Sequence, residues 1–315
     1  MSIDGIDGID GIDGERMRRL GDARHLVDAL ERALLGGLRP EDEQGRVSRP
    51  TSHGELLLMP SEAAGHIGVK VLGLAPGNPA RGLPVISGLY LLMDSRTLRL
   101  LAVLDGGELT LLRTPAVSAL AARHMAARPI RSAVVFGSGP QARAHIETFH
   151  ALHGLRDVVI AGRDPGRTER LVRRCADDGL RARAGSARDV PEADVVICCT
   201  SAREPLFAAE LLAPRTVVVA VGSHHPDARE LGDDVMEAAQ VVVESRTVAT
   251  TEAGDVVQAL DHGAIAETDL IELAGLVRGG AIARDGRPRV FKSVGMAWED
   301  LAVAVAVHER DLASR

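Results

Sequence analysis

VVFGSGPQARAH, running from Val134 to His145, decides the fold. A short apolar run ends in Gly137-Ser138-Gly139, and the sequence then turns helical. In a strand–turn–helix of this kind the first glycine permits a tight turn, and the second leaves bare backbone for a pyrophosphate to approach. Ala142 takes the third small position, where the new helix packs on its strand. The helix start, through Pro140 and Gln141, offers unpaired N–H groups and the positive end of a dipole to phosphates. A glycine trio alone is a weak signal, but here the required context stands on both sides of it. The expectation is dinucleotide binding, and with it nicotinamide or flavin chemistry. Gly137, Ser138, Gly139, Pro140, Gln141 and Ala142 would surround the phosphates.

Outward from the loop, β-rich runs at 133–136, 157–161, 194–199, 216–221 and 240–244 alternate with helical or looped stretches. That alternation predicts a doubly wound parallel sheet, a Rossmann-type α/β domain. Before it, ELLLM, GVKVLGL, GLYLLMD and RLLAVLDG follow one another with turn signals between them, the spacing of an antiparallel meander in a smaller α+β domain. Helices are expected over 15–35, over 113–127 with Pro-Ala-Val in its first turn, and over 296–313. The expected division is a substrate and dimerisation domain at 15–113 and 294–315, and a dinucleotide-binding domain at 114–293. The opening residues 1–14 carry four Ile-Asp-Gly repeats, read as a disordered tail in preference to a calcium site.

Composition narrows the class. The chain has 315 residues, 45% of them hydrophobic but only 2% aromatic, so its core must be built from Val, Leu, Ala and Ile. A net charge of −7 with no basic block argues against a nucleic-acid partner. No stretch approaches the length of a membrane span, and the start lacks the layout of a signal peptide. Cys175, Cys198 and Cys199 form an odd set that suits reduced thiols in the cytoplasm.

Few residues stand out for chemistry. Lys70 lies in a strand that is apolar on both faces, so it either snorkels from an edge or lines a cleft as proton donor or anion anchor. Arg113, read as opening a helix, opposes the dipole there, which points to a carboxylate partner. Arg46 sits in a polar linker. His224-His225 follow a strand directly, where ligands of open parallel sheets bind. On one extended segment these rings should point apart and cannot jointly chelate a metal, so no metal is expected. One of them, His224 foremost, suits a proton donor. Asp227 and Glu230 read as starting or capping the next helix. Thr200-Ser201 follow another strand, with hydroxyls for a cofactor or for capping. The second strand ends in Gly162 and Arg163, with Arg167 one turn onward, where an NAD site would usually carry an acid. NADP is therefore expected over NAD, with Asp164 the one acid nearby.

ELLLMP, GVKV, PGNPARGLP, LDGGELTLLRTPAVSALAA, FGSGPQARAH, VGSHHPDAREL, ESRTVATTEAGD and VFKSVGMAWEDLA, in this order, resemble the blocks of the ornithine cyclodeaminase/mu-crystallin family. The resemblance implies a homodimer, a site between a substrate domain and a Rossmann domain, and a substrate carboxylate held by Arg46, Lys70 and Arg113. Val221, Lys292 and Ser293, inside two of those blocks, join the expected cofactor contacts. Two departures matter. Cyclodeaminases of the family carry an aspartate where this chain has His224, and a glutamate contacting the substrate amine where it has Leu57. The expected activity is therefore NAD(P)H-dependent chemistry on a C=N or C–N bond beside a carboxylate of a small imino or amino acid. Cyclodeamination of a basic amino acid and cofactor-gated ligand binding are the alternatives.

Overall fold

The computed structural model describes residues 10–43 and 45–315. They form two units, one of residues 10–113 with Met296–Arg315, and one of Thr114–Gly295. In the first unit β1 is Asp10–Ile12, paired in parallel with Ala102–Leu104. The reading of 1–14 as a disordered tail is thus corrected from residue 10 on, while residues 1–9 lie outside the described residues. Ile12 is fully buried, and Asp13 caps helix α1 (Gly14–Leu20) by accepting from the Arg16 N–H at 2.8 Å. The last repeat gains a sheet edge and a buried isoleucine, which outweighs its glycine-rich composition.

The single helix expected over 15–35 is two, because Asp22 accepts from the His25 N–H at 2.9 Å and starts α2 (Ala23–Leu35) afresh. Strands β3 (Gly54–Ala63), β4 (His66–Leu74), β5 (Ile86–Asp94) and β6 (Leu100–Asp105) then make the expected antiparallel meander, and β2 (Val47–Thr51), an exposed strand the apolar pattern does not predict, adds an edge to it. The sheet order is β1-β6-β5-β4-β3-β2. The period of two puts Leu57, Met59 and Ser61 of β3, Gly68, Lys70 and Leu72 of β4, and Tyr90 and Leu92 of β5 on one buried face. The other face shows half-buried Leu58, Val69, Val71, Leu89 and Leu91.

Helix α3 (Gly106–Met125) begins seven residues before Arg113, since the Asp105 carboxylate accepts from the Glu108 N–H at 2.8 Å. Arg113 therefore stands inside a helix with Pro115 two residues on, and does not oppose the dipole at a helix start as expected. The proline removes one backbone bond, yet the apolar run Ala116, Val117, Ala119 and Leu120 is buried and carries the helix through.

In the second unit β7 (Ser132–Phe136), α4 (Pro140–His153), β8 (Asp157–Ala161), α5 (Pro165–Asp177), β9 (Arg181–Ala184), β10 (Val195–Cys198) and β11 (Val217–Ala220) wind the sheet. They are followed by α6 (Asp233–Ala238), β12 (Gln240–Val243), α7 (Arg246–Glu252), α8 (Gly254–Asp261), β13 (Ile271–Glu272), α9 (Leu273–Val277) and β14 (Arg289–Lys292). All pairs are parallel, in the order β13-β12-β14-β11-β10-β7-β8-β9. The chain leaves β7 toward one side and β10 toward the other, so the carboxyl ends of these two strands flank the ligand crevice of this topology. Helix α10 (Ala297–Ala313) ends the chain and packs in the first unit on α2 and β3–β5.

Candidate functional site

The phosphate loop is built as its sequence implies. Gly137 has φ +112°, and a Cβ there would come within 2.6 Å of the Cys199 carbonyl oxygen, so only glycine fits. Gly139 is the N-cap of α4, no side chain caps that helix, and an added Cβ would meet nothing within 4 Å. The space beside the Gly139 backbone is thus clear of side chains, which fits close approach by the pyrophosphate of a dinucleotide. Ala142 is fully buried beneath. The sequence reading missed His145, whose Nδ1 donates to the Gln141 carbonyl at 2.8 Å and whose Nε2 lies 2.9 Å from Ser118 Oγ. It ties the first turn of α4 to α3.

Beyond β8, a Cβ at Gly162 would collide with Thr168 Oγ1 and come within 3.0 Å of Ser138 Oγ, so no side chain can stand there. Asp164 caps α5, accepting from the Arg167 N–H at 3.0 Å, with Arg167 Nε 3.4 Å from its other oxygen. These contacts, the backbone one foremost, hold its carboxyl below the usual range. Arg163 is exposed and donates to Ser201 Oγ at 3.3 Å.

Beyond β10 and β11 several expectations change. Glu230 does not start a helix: α6 begins at Asp233 behind Gly232. Its carboxylate is fully buried and accepts from the Thr200 N–H (2.7 Å), the Thr200 hydroxyl (2.8 Å) and the Gly222 N–H (2.7 Å). Asp227 pairs with Arg203 on the surface. Asp255 accepts from the Ser223 hydroxyl and from the N–H groups of Glu230 and Leu231. Lys292 donates to the Ser223 carbonyl at 2.6 Å and lies 3.2 Å from Asp255, while Ser293 donates to Glu244 at 2.6 Å. Both were expected to meet the cofactor; their donors are instead committed inside the unit, and both are buried. Val221 is half-buried and its N–H extends the ladder to the Cys198 carbonyl. The His224 and His225 rings do not point apart: their centroids are 4.6 Å from each other, tilted by 44°. Among the described residues no group of three or more His, Cys, Asp or Glu could hold a metal.

The first unit carries a second cluster. Lys70 is 1% exposed on the interior strand β4, so it does not snorkel from an edge. Its ammonium lies 2.7 Å from Asp300 Oδ2. Arg113 donates to Glu299 Oε2 at 2.9 Å and places Nε 3.3 Å from Asp300 Oδ1. Burial pulls the Lys70 ammonium down, Asp300 opposes this, Arg113 adds to it, and the outcome is a pKa of about 8. Tyr90, opposite Lys70 in the sheet, lays its hydroxyl over Gly68, where any Cβ would collide with it. Ser61 donates to Glu43 at 2.9 Å, and burial raises that carboxyl. Leu57 points into the same buried face, 6% exposed. Arg46 is half-buried just before β2. Glu299, Asp300 and Glu43 were not foreseen. Two acids embedded in the apolar run AWEDLAVAV were the available signal, since buried Lys70 and Arg113 require counter-charges.

The chain is similar to several known proteins. The rat ketimine reductase mu-crystallin is 33% identical over 297 residues, covering 90% of this chain and 91% of its own. A delta(1)-pyrroline-2-carboxylate reductase of Bacillus cereus is 32% identical over 263 residues, covering 81% of each chain. The solved structure of the Thermococcus litoralis delta(1)-pyrroline-2-carboxylate reductase with NADH and L-proline superposes with a TM-score of 0.91 at 27% identity, over 97% of this chain and 98% of that one. The family model for ornithine cyclodeaminase/mu-crystallin matches residues 14–315, and the chain belongs to that family.

Proposed function

We propose that this chain reduces the C=N bond of a small imino acid at the carbon beside its carboxylate, or runs the reverse oxidation, with NAD(P)H. The carrying observation is Lys70: a buried ammonium with three donors whose one ionic partner among the described residues is Asp300. Two donors remain for a carboxylate, which Lys70, Arg113 and Arg46 would hold together. When bound, the nicotinamide supplies the hydride. Gly137 to Ala142 hold its pyrophosphate, and orientation by the carboxylate clamp lowers the entropic part of the barrier. Lys70, at a pKa of about 8, and His224 are the two groups assigned to give the nitrogen its proton.

NADP is the preferred form. Gly162 leaves no acid for a ribose hydroxyl, Asp164 is committed as a cap, and Arg163 is exposed for a 2′-phosphate. The half-buried apolar face of the six-stranded sheet, with Leu58, Val69, Val71, Leu89 and Leu91, is assigned to a homodimer through the first unit. Three free cysteines suit a reducing compartment, the cytoplasm. No helix among the described residues is long and apolar enough to cross a membrane.

Cyclodeamination of a basic amino acid has one observation in its favour. Glu43 puts a carboxylate at Ser61, on the face where Leu57 replaces the family's glutamate. Pyrroline- and piperideine-2-carboxylate with stoichiometric NADPH, against ornithine and lysine with catalytic NAD(P)+, separate the two. Loss of reduced-nicotinamide absorbance only with the imines supports reduction. Many turnovers of proline or pipecolate plus ammonia overturn it, and no turnover in either arm leaves a binding protein.

A further inference from the structure

We propose that Glu230 and Thr200 form a proton-dependent donor switch that positions the loops beyond β10 and β11 and turns the Thr200 hydroxyl toward an anionic dinucleotide. The inference rests on the reading of the second unit as an NAD(P)H site. In the anionic form Glu230 Oε1 accepts both the N–H and the O–H of Thr200, and Oε2 accepts the Gly222 N–H. Thr200 Oγ1 itself accepts from the Ala202 N–H at 3.1 Å. A hydroxyl has one hydrogen, so this arrangement leaves none for a ligand.

A proton taken from solvent onto Oε1 reverses the bond. The carboxylic O–H then donates to Thr200 Oγ1, which still accepts from Ala202 through its second lone pair. The threonine hydrogen is released, and Oε2 keeps Gly222, so the clamp between the two loops survives. The freed O–H sits at the carboxyl end of β10, where a dinucleotide's ribose, amide or phosphate oxygens can accept it.

Charge acts in the same direction. Lys292 from β14 favours the ionised form of Glu230, Asp255 from α8 opposes it, and the thiols of Cys198 and Cys199, on β10 and the residue beyond, are held neutral in part by its charge. Burial is the largest influence and lifts Glu230 to about 7. One lysine faces two carboxylates, so the ionised cluster carries a surplus negative charge beneath a site for phosphates. Binding the dinucleotide should therefore take up a proton.

Calorimetric titration of the full chain with NADPH between about pH 6 and 8.5, in buffers of different ionisation heat, tests this. Affinity should fall several-fold as pH rises, with uptake of a fraction of a proton that is greatest just above neutrality and fades toward both ends of the range. Glu230→Gln should abolish both. Thr200→Val should lose the gain at low pH, and Thr200→Ser should restore it, which a merely structural loop anchor would not predict. If Glu230→Gln does not fold, an infrared titration of the wild-type protein and Thr200→Val still decides. A protonated-carboxyl band that titrates near neutrality and moves in Thr200→Val supports the switch, and its absence overturns it. NADPH binding without pH linkage overturns the switch alone. Failure to bind NADPH or NADH at any pH overturns the dinucleotide reading together with it.

Discussion

Each unit buries a cluster of charges, and the two clusters are balanced differently. In the first, Lys70 and Arg113 face Glu299 and Asp300, two cations against two carboxylates. In the second, Lys292 faces Asp255 and Glu230, one cation against two. Burial penalises every charge, so a cluster with matched charges can keep them all while an unmatched one sheds a charge by protonation. Glu230 is the group that yields, rising to about 7, whereas Asp255 stays below its ordinary value through Lys292 and three hydrogen-bond donors. In the first cluster Lys70 yields only part-way, to about 8, and remains a cation at neutral pH. On the function proposed above, the first unit would hold the substrate anion and the second would respond to the cofactor's charge.

The largest expected effect separates the clusters by their redundancy. Lys292→Met leaves Asp255 and Glu230 with no buried cation opposite them, and should cost about 3–5 kcal/mol in urea unfolding, as the breaking of a buried pair does. Lys70→Met leaves Asp300 its contact with Arg113 and should cost less stability. It should instead raise the imine KM roughly 100-fold, through loss of a charge-assisted contact to a desolvated carboxylate, while NADPH affinity stays within about twofold. Equal stability losses with unchanged kinetics would place Lys70 among structural charges.

A smaller effect follows from the pKa of Lys70. As pH rises through about 8 the ammonium is lost, so kcat/KM for an imino acid should fall with an apparent pKa near that value. Lys70→Arg should remove the fall, because guanidinium stays charged. Stability runs the other way. The folded value lies below the ordinary 10.5, so between about 8 and 10.5 the unfolded chain binds more protons and this group's penalty is relieved as pH rises. Lys70→Met should lose that rise in a thermal-shift titration across the same window.

The smallest effect concerns the cofactor. Arg163→Ala should weaken NADPH about tenfold and NADH barely, as for loss of one exposed charge-assisted contact to phosphate. Isothermal titration measures both. Tighter NADH than NADPH in the unmodified protein would overturn the preference.

The alternation of apolar runs made both sheets legible, and the glycine loop made the phosphate site legible, because each depends on near neighbours in sequence. Strands β3 to β8 and β10 to β12 follow that pattern. Strands β2, β9, β13 and β14 lie outside it: VSRPT and RARA are mostly exposed edge strands, β13 has two residues, and RVFK is short with charged ends yet wholly buried. Helix α3 was begun too late because Pro115 reads as a first-turn residue, while the actual cap is Asp105, ten residues earlier. Lys70 and Arg113 could be singled out as charges in apolar or unusual settings. Their partners Glu299 and Asp300 could not, since 186 residues separate Arg113 from Glu299.

By itself, the sequence determined that a dinucleotide loop opens a parallel sheet, that an antiparallel meander precedes it, and that no carboxylate stands at position 57 or 224. Those properties are set by spacing and residue type along the chain. Only the tertiary structure decided which charges neutralise one another. It brought α10 back onto β4 to meet Lys70, put Glu230 between the ends of β10 and β11, and committed Lys292 and Ser293 to the interior. Electrostatic pairing and desolvation act through space, at distances that sequence separation does not encode.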